Sequence, residues 1–274
     1  MATDFQPCGV ITLTTDFGHK GPFVATMKGV MLTHLAEARI IDITHETDVH
    51  FPAEAGFWLS RSFTYFPAGS THVAVVDPGV GTERDIIAVV YEGHVFLAPD
   101  NGLLATIAER DGASIYRLDL SDPIKLGLGK ISATFHGRDV FAPIAAALAG
   151  GRLRPEALGP AVDTVVPSWV EEPQVQRERI SGLVVTVDHF GNLISNISEE
   201  QVATLSGPGM ADPVVKAGGH DFPVLRTYGN VSPGDYLALI NSYGVLEIAR
   251  SQQSAADGLG LGRGAPILVV RGSH

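Results

Sequence analysis

The chain has 274 residues and a mass of 28.9 kDa, which suits one large domain or two modest ones, and 45% of its residues are hydrophobic, enough for a substantial core. Its 30 acidic and 19 basic side chains give a formal net charge of −11, which argues against nonspecific nucleic-acid binding, since that needs basic surface to neutralise phosphates. A single cysteine, Cys8, excludes an internal disulfide and a cysteine zinc site. No basic-then-apolar leader opens the chain, and the longest nearly apolar run, Phe141 to Gly151, is far short of the roughly 20 residues that span a bilayer, so a soluble cytoplasmic protein is expected.

In chain order, Val10–Thr15 reads as a strand, Phe23–Ala36 as a helix by its apolar spacing, and Arg39–Ile43 as a short strand. Ala53–Tyr65 reads as a helix and Thr71–Val76 as a strand. Two further strands between Ile86 and Leu97 flank Glu92-Gly93, a hairpin turn pair. Val140–Ala149 reads as a helix ended by Gly150-Gly151. Such alternation predicts an α/β sandwich-like domain with a mostly parallel sheet over residues 9–160. Pro155, Pro160, Pro167 and Pro173 punctuate an aperiodic stretch, and residues 161–179 are expected to be a linker. Beyond it, Gly182–Val187, Val224–Thr227, Tyr236–Ile240, Val245–Ala249 and Ile267–Val270 read as strands. Ser198–Leu205 is the one helical segment there, with Ser198 as its cap. Residues 180–272 are therefore expected to form a smaller antiparallel β-barrel-like domain.

Four polar, glycine-containing segments follow apolar runs in the first half: TTDFGHKG at Thr14, VDPGVGTERD at Val76, APDNG at Ala98 and TFHGRD at Thr134. Ligands collect beyond the carboxyl ends of strands in open α/β sheets. Singly, each segment also reads as a cap or turn; four at strand ends point to a site. The chain lacks a dinucleotide-binding glycine fingerprint, a Walker A sequence, a G-x-S-x-G elbow and any close histidine pair with metal-ligand spacing. His19, His45, His50, His72 and His94 are expected to be surface or capping residues. His136, with Gly137, Arg138 and Asp139 after it, could be a base, a proton shuttle or a structural donor.

TTDFG, DPGVGTERD, APDNG, FHGRDVFAP, DHFGNLISN and NSYGVLEIA, in that order, resemble the S-adenosyl-L-methionine hydrolase family, also called SAM hydroxide adenosyltransferases, which is related to fluorinating and chlorinating enzymes using the same substrate. The likeness runs from about Ile11 to Val270. It implies an N-terminal α/β domain, a C-terminal β-barrel-like domain, and homotrimers with active sites between neighbouring subunits. The implied reaction is hydrolysis of S-adenosylmethionine (SAM) to adenosine and methionine, by attack of water or hydroxide at ribose C5′. A sulfonium leaves as a neutral thioether, so the enzyme must supply a positioned, sufficiently basic nucleophile and little else; no metal and no cofactor is expected.

The family's Asp–Arg–His trio falls on Asp77, Arg84 and His136, with Arg84 holding the Asp77 carboxylate and neutral His136 the better candidate proton acceptor near pH 7, while the sequence leaves the choice between Asp77 and His136 open. A bracing ion pair at the Asp77 turn is the alternative for Asp77 and Arg84. Among substrate contacts, the resemblance implies Asp16 for both ribose hydroxyls and Asp188 with Asn192 for the methionine amino group. The spacing to Asp188 is one residue shorter than in the fluorinating relatives. Ser242 falls at a contact to the methionine carboxylate, and Tyr243 stands where those relatives carry Arg. Tyr228 falls where a ring stacks on adenine, Arg250 where the adenine edge is read, and Phe51 is a further aromatic contact. The anionic Asp77 and the short segment to Asp100 speak against halide transfer. A non-catalytic SAM or adenosine sensor would keep the binding residues without the trio, and a metal-dependent phosphoesterase lacks its ligand spacing here.

Overall fold

In the computed structural model, residues 5–206 and 211–272 are described. The chain divides into two compact units at Trp169/Val170.

The first unit is built on β1 (Val10–Thr15), α1 (Phe23–His34), β2 (Arg39–Thr44), α2 (Pro52–Ser62), β3 (Thr71–Val75), β4 (Ile86–Tyr91), β5 (His94–Pro99), α3 (Ala105–Ala108), β6 (Ser114–Arg117), α4 (Ala142–Ala149) and β7 (Ala161–Val162). Its sheet has the order β2-β1-β3-β5-β4-β6-β7. β1 pairs in parallel with β2 and β3, and β3 with β5. The contacts β5–β4, β4–β6 and β6–β7 are antiparallel, so only β4 and β7 run against the common direction. The β4–β5 hairpin turns on Glu92 and Gly93, both left-handed at φ 48° and 76°, as a two-residue turn of matching twist requires. One sheet face packs Ile11, Leu13, Val73 and Val75 against α1 and α4, and the other packs Ala74, Val76, Val89 and Phe96 against α2 and α3. Strands covered on both faces read as continuous apolar runs, and every residue of β1, β3 and β5 is buried.

The second unit contains β8 (Gln174–Val175), β9 (Arg179–Val187), β10 (Leu193–Ser198), α5 (Glu199–Ala203), β11 (Ala211–Ala217), β12 (His220–Pro223), β13 (Tyr236–Ile240), β14 (Val245–Arg250), α6 (Ala255–Leu259) and β15 (Pro266–Gly272). Its strands follow β12-β11-β15-β9-β10-β14-β13, all neighbours antiparallel, with β8 added on β9. A bridge from Val224 to Ala238 on β13 brings the two ends of this path together, which makes the sheet a nearly closed barrel around Ile180, Leu193, Val215, Phe222, Leu246 and Ile248. The Ser198 cap of α5 is a complete capping box with Gln201.

Five expectations differ from the structure. Ser198–Leu205 is not the one helical segment of the second unit, because Ala255–Leu259 forms α6 behind a Ser254 cap, and the stretch 161–179 holds β7, paired in the first sheet, and β8, paired on β9. Val224–Thr227 is a loop carrying only that single bridge, because its apolar residues cover other strands rather than pair in the ladder. No strand precedes TFHGRD; an irregular segment leads to His136, and Gly137–Phe141 form a π-type turn ahead of α4. His45, His72 and His94 are buried rather than superficial. His72 bonds Thr12 Oγ1 at 2.7 Å and His94 Nδ1 at 3.0 Å inside the sheet layer, and burial pushes its pKa down to about 3.

Candidate active site

β1 and β3 are parallel neighbours with Thr15 opposite Val75. The residues just past their carboxyl ends, Asp16 and Asp77, therefore emerge at one sheet edge. A cleft of about 290 Å³ opens there, lined among others by Asp16, Phe17, Phe23, Asp77, Phe135 and His136.

Arg84 folds back onto Asp77. Its Nε lies 3.0 and 3.1 Å from the two carboxylate oxygens and its Nη2 donates to Oδ2, with the two side chains only 11% and 4% exposed. The same Nη2 stands 2.9 Å from His136 Nδ1. A guanidinium has donors only, so Nδ1 is the acceptor and the neutral ring carries its proton on Nε2. Burial pushes the His136 pKa below its ordinary value and the Arg84 charge adds to this, against the pull of Asp77 and Asp139.

The segment before His136 is held by Asp139, which accepts from Ser132 N at 2.9 Å and Ser132 Oγ at 2.6 Å, and from Arg138 Nε at 2.6 Å. The Arg138 contact, above all, keeps the Asp139 carboxyl well below the usual carboxylate range. Gly81, at φ 78°, lies so close to this segment that an added Cβ would overlap the Ala133 carbonyl oxygen. Asn101 of APDNG donates from Nδ2 to Val76 O at 2.9 Å and fixes the strand end that presents Asp77. The four segments thus divide into two that deliver acids, one that delivers His136 and one that braces.

Sequence reasoning missed the support beneath Asp16. The half-buried Asp16 accepts at Oδ2 from the backbone N–H of His50, 3.0 Å away, and His50 holds a left-handed φ of 64°. Gly18 N to His45 O (2.8 Å), Thr47 Oγ1 to Thr15 O (3.0 Å) and Thr15 Oγ1 to His45 Nδ1 (2.8 Å) lock the two loops together. No residue pattern announced these bonds, because all but the Thr15–His45 contact involve main-chain groups and that one joins side chains 30 positions apart. Phe51 starts α2 beside His50, with its ring 6.4 Å from that of Trp169, and stands outside the lining of the cleft.

In the second unit, Phe190, Asn192, Tyr228, Arg250, Gln253 and Ser254 line a cleft of about 600 Å³. Asp188 accepts from the backbone N–H groups of Phe190 and Asn192 at 2.9 Å and from Asn192 Nδ2 at 3.0 Å. Arg250 donates to Gly234 O at 2.9 Å and lies over the Tyr236 ring. Ser242 and Tyr243 are exposed in the β13–β14 turn, where Tyr243 N donates to Asn241 Oδ1 at 3.0 Å. Asn192, Tyr228 and Arg250 thus share one cleft, Asp188 is tied to Asn192, and Ser242 and Tyr243 occupy the adjoining strand turn.

The sequence matches the family model for the SAM hydroxide adenosyltransferase N-terminal domain over residues 11–159 and that for the C-terminal domain over residues 182–268. The chain belongs to the SAM hydroxide adenosyltransferase family. Within that family's reach, a protein named (R)-S-adenosyl-L-methionine hydrolase from Salinispora arenicola is 38% identical, over 96% of this chain and 98% of its own length. One of the same name from Thermus thermophilus is 36% identical, over 93% and 97%. Proteins named fluorinase also align, at 22–26% identity. A crystal structure of an uncharacterized conserved protein from Thermotoga maritima superposes with a TM-score of 0.87 at 35% identity, covering 95% of this chain and all of that one. Among the described residues, no helix is long and apolar enough to cross a membrane, and no three or more His, Cys, Asp or Glu side chains are grouped to hold a metal ion.

Proposed function

We propose that this SAM hydroxide adenosyltransferase hydrolyses S-adenosylmethionine to adenosine and L-methionine. A water oxygen forms a bond to C5′ as the C5′–S bond breaks; the electron pair goes to sulfur and methionine leaves as a neutral thioether. The water proton passes to Asp77 and from there to solvent. The observation that carries this reading is the Arg84 fork shared between Asp77 and His136 at the cleft. With Nδ1 engaged and the proton on Nε2, the His136 ring has no free lone pair, which leaves Asp77, rather than His136, to accept the water proton. Asp16 serves the ribose hydroxyls, and Phe51, Asp188, Asn192, Tyr228, Ser242, Tyr243 and Arg250 are substrate contacts carried over from the family pattern. A departing thioether needs no protonation, and the proposed reaction invokes neither cofactor nor metal.

The sulfonium of SAM bears three different carbon groups and is a stereocentre, which a chiral pocket discriminates. The relatives are named for the R epimer, and the R epimer is the proposed substrate here. A cytoplasmic homotrimer with active sites between neighbouring subunits completes the proposal. The test is product chromatography after incubation with each epimer, with and without chloride and a chelator, on the wild type and on Asp16→Ala. Adenosine and methionine from the R epimer, indifferent to both additions, with KM raised about tenfold in Asp16→Ala, are expected. A 5′-chloroadenosine peak would place the chain with halide-using relatives, and binding without turnover would make it a sensor.

A further inference from the structure

Glu247 is a buried acid with no part in the reaction above. It lies 2% exposed in β14, between Leu246 and Ile248, which point into the barrel core. Strand alternation turns Glu247 to the opposite face, the face of Leu237, Leu239 and Ala249. Segment 225–231 lies over that face, with Leu225 and Val231 as its apolar contacts. Between them, the Tyr228 hydroxyl donates to Glu247 Oε1 at 2.8 Å, and Asn241 Nδ2 donates to Oε2 at 3.2 Å. No cationic side chain among the described residues compensates the carboxylate. Burying such an anion costs several kcal/mol, so a hydrophobic residue would serve packing better. Both oxygens are engaged and shielded, which rules out direct ligand contact in this arrangement. Tyr228, 44% exposed, is the member of the network that reaches the cleft.

We propose that Glu247 is a positioning residue that pins the Tyr228 ring at the wall of the second-unit cleft, and so sets affinity for the adenosine portion of the ligand rather than the rate of displacement. The inference rests on the proposed reaction for the identity of the ligand. Burial and the nearby Asp188 push the Glu247 carboxyl up, while burial and Glu247 push the Tyr228 phenol up, so the phenol stays a donor across the working range. A free tyrosine in a short exposed turn samples several rotamers; anchoring its hydroxyl leaves the ring preorganised for stacking.

The experiment compares Tyr228→Phe, Glu247→Leu, their double variant and Glu247→Gln. It measures adenosine affinity by calorimetry, KM and kcat with SAM, and thermal unfolding as a check of folding. Tyr228→Phe and Glu247→Leu are each expected to weaken adenosine binding and raise KM about tenfold with kcat within about twofold. The double variant should be no weaker than either, because both remove one interaction. Glu247→Gln keeps an acceptor for the hydroxyl and should retain affinity within about threefold. Additive losses, or a kcat loss at constant KM, would overturn the proposal. If Glu247→Leu does not fold, unchanged adenosine affinity in Tyr228→Phe overturns it alone. Wild-type protein that binds adenosine without hydrolysing SAM refutes the reaction and leaves the affinity comparison intact; hydrolysis with indifferent variants does the reverse.

Discussion

Replacing His136 by Asn and by Ala separates two roles for the ring. In the structure His136 Nδ1 accepts from Arg84 at 2.9 Å, and Asn can place its Oδ1 where Nδ1 stood. Ala leaves that donor empty while Arg84 keeps its two-pronged hold on Asp77. A hydrogen bond to a charged group is worth about 1.5–3 kcal/mol, and each 1.36 kcal/mol on a barrier is about tenfold in rate. His136→Ala should therefore lose about ten- to a hundredfold in kcat, and His136→Asn no more than about fivefold. A general base would contribute about 10²–10⁴-fold, and Asn would lose that as fully as Ala. The pH profile gives a second reading. Burial and Arg84 lower the His136 pKa, so the ring stays neutral as pH falls through 6.5. The acid limb of kcat/KM should lie below that value, where protonation at Nδ1 would set two donors face to face. Steady-state kinetics on the three proteins from pH 5 to 9 measure both. Equal losses of about a thousandfold in Asn and Ala, or an acid limb at or above 6.5, would refute the reasoning.

Gly81→Ala places a methyl against the Ala133 carbonyl at a left-handed residue; it should cost about 2 kcal/mol in urea unfolding and lower kcat more than adenosine affinity, and unchanged stability would disprove the close approach. For His72, whose folded pKa is about 3, the unfolded chain takes up a proton as pH falls through its ordinary value while the native state does not. That share of stability is complete above about pH 6.5 and drains away towards pH 3. His72→Asn should lower Tm at pH 7.5, because Thr12 and His94 lose their partner, yet flatten the decline of Tm between pH 7 and 4; a slope equal to the wild type's would refute the burial of a neutral ring.

Much of the scaffold was legible because its strands are buried on both faces. VITLTT and YLALI form β1 and β13 with the bounds their runs suggest. β10, sequence LISNIS, escaped notice because Ser195 and Asn196 break its apolar run. Ser195 is buried nonetheless, its hydroxyl satisfied by Leu246 O at 2.7 Å. Val224–Thr227 misled in the opposite sense: Val224 and Leu225 are apolar to cover other strands, and hydrophobicity reports burial before it reports pairing. Asp77 and His136 are 59 positions apart, and only the ordered motifs tied them together. Histidine burial was illegible, since the same side chain serves in a wet loop and, when its two nitrogens are satisfied, in a sheet interior.

The grip on Asp16 comes from the main chain of His50, and this sets what mutagenesis can see there. A peptide N–H survives every side-chain exchange except proline. An alanine scan across Thr47–Phe51 would therefore pass over the bond that orients the acid, and position 50 would look dispensable in any alignment of tolerated residues. Glycine, at ease with a φ of 64°, would even look favoured. Position 50 can drift among residues that tolerate a left-handed φ while its hold on Asp16 stays constant, so variation at His50 says nothing about whether the position matters.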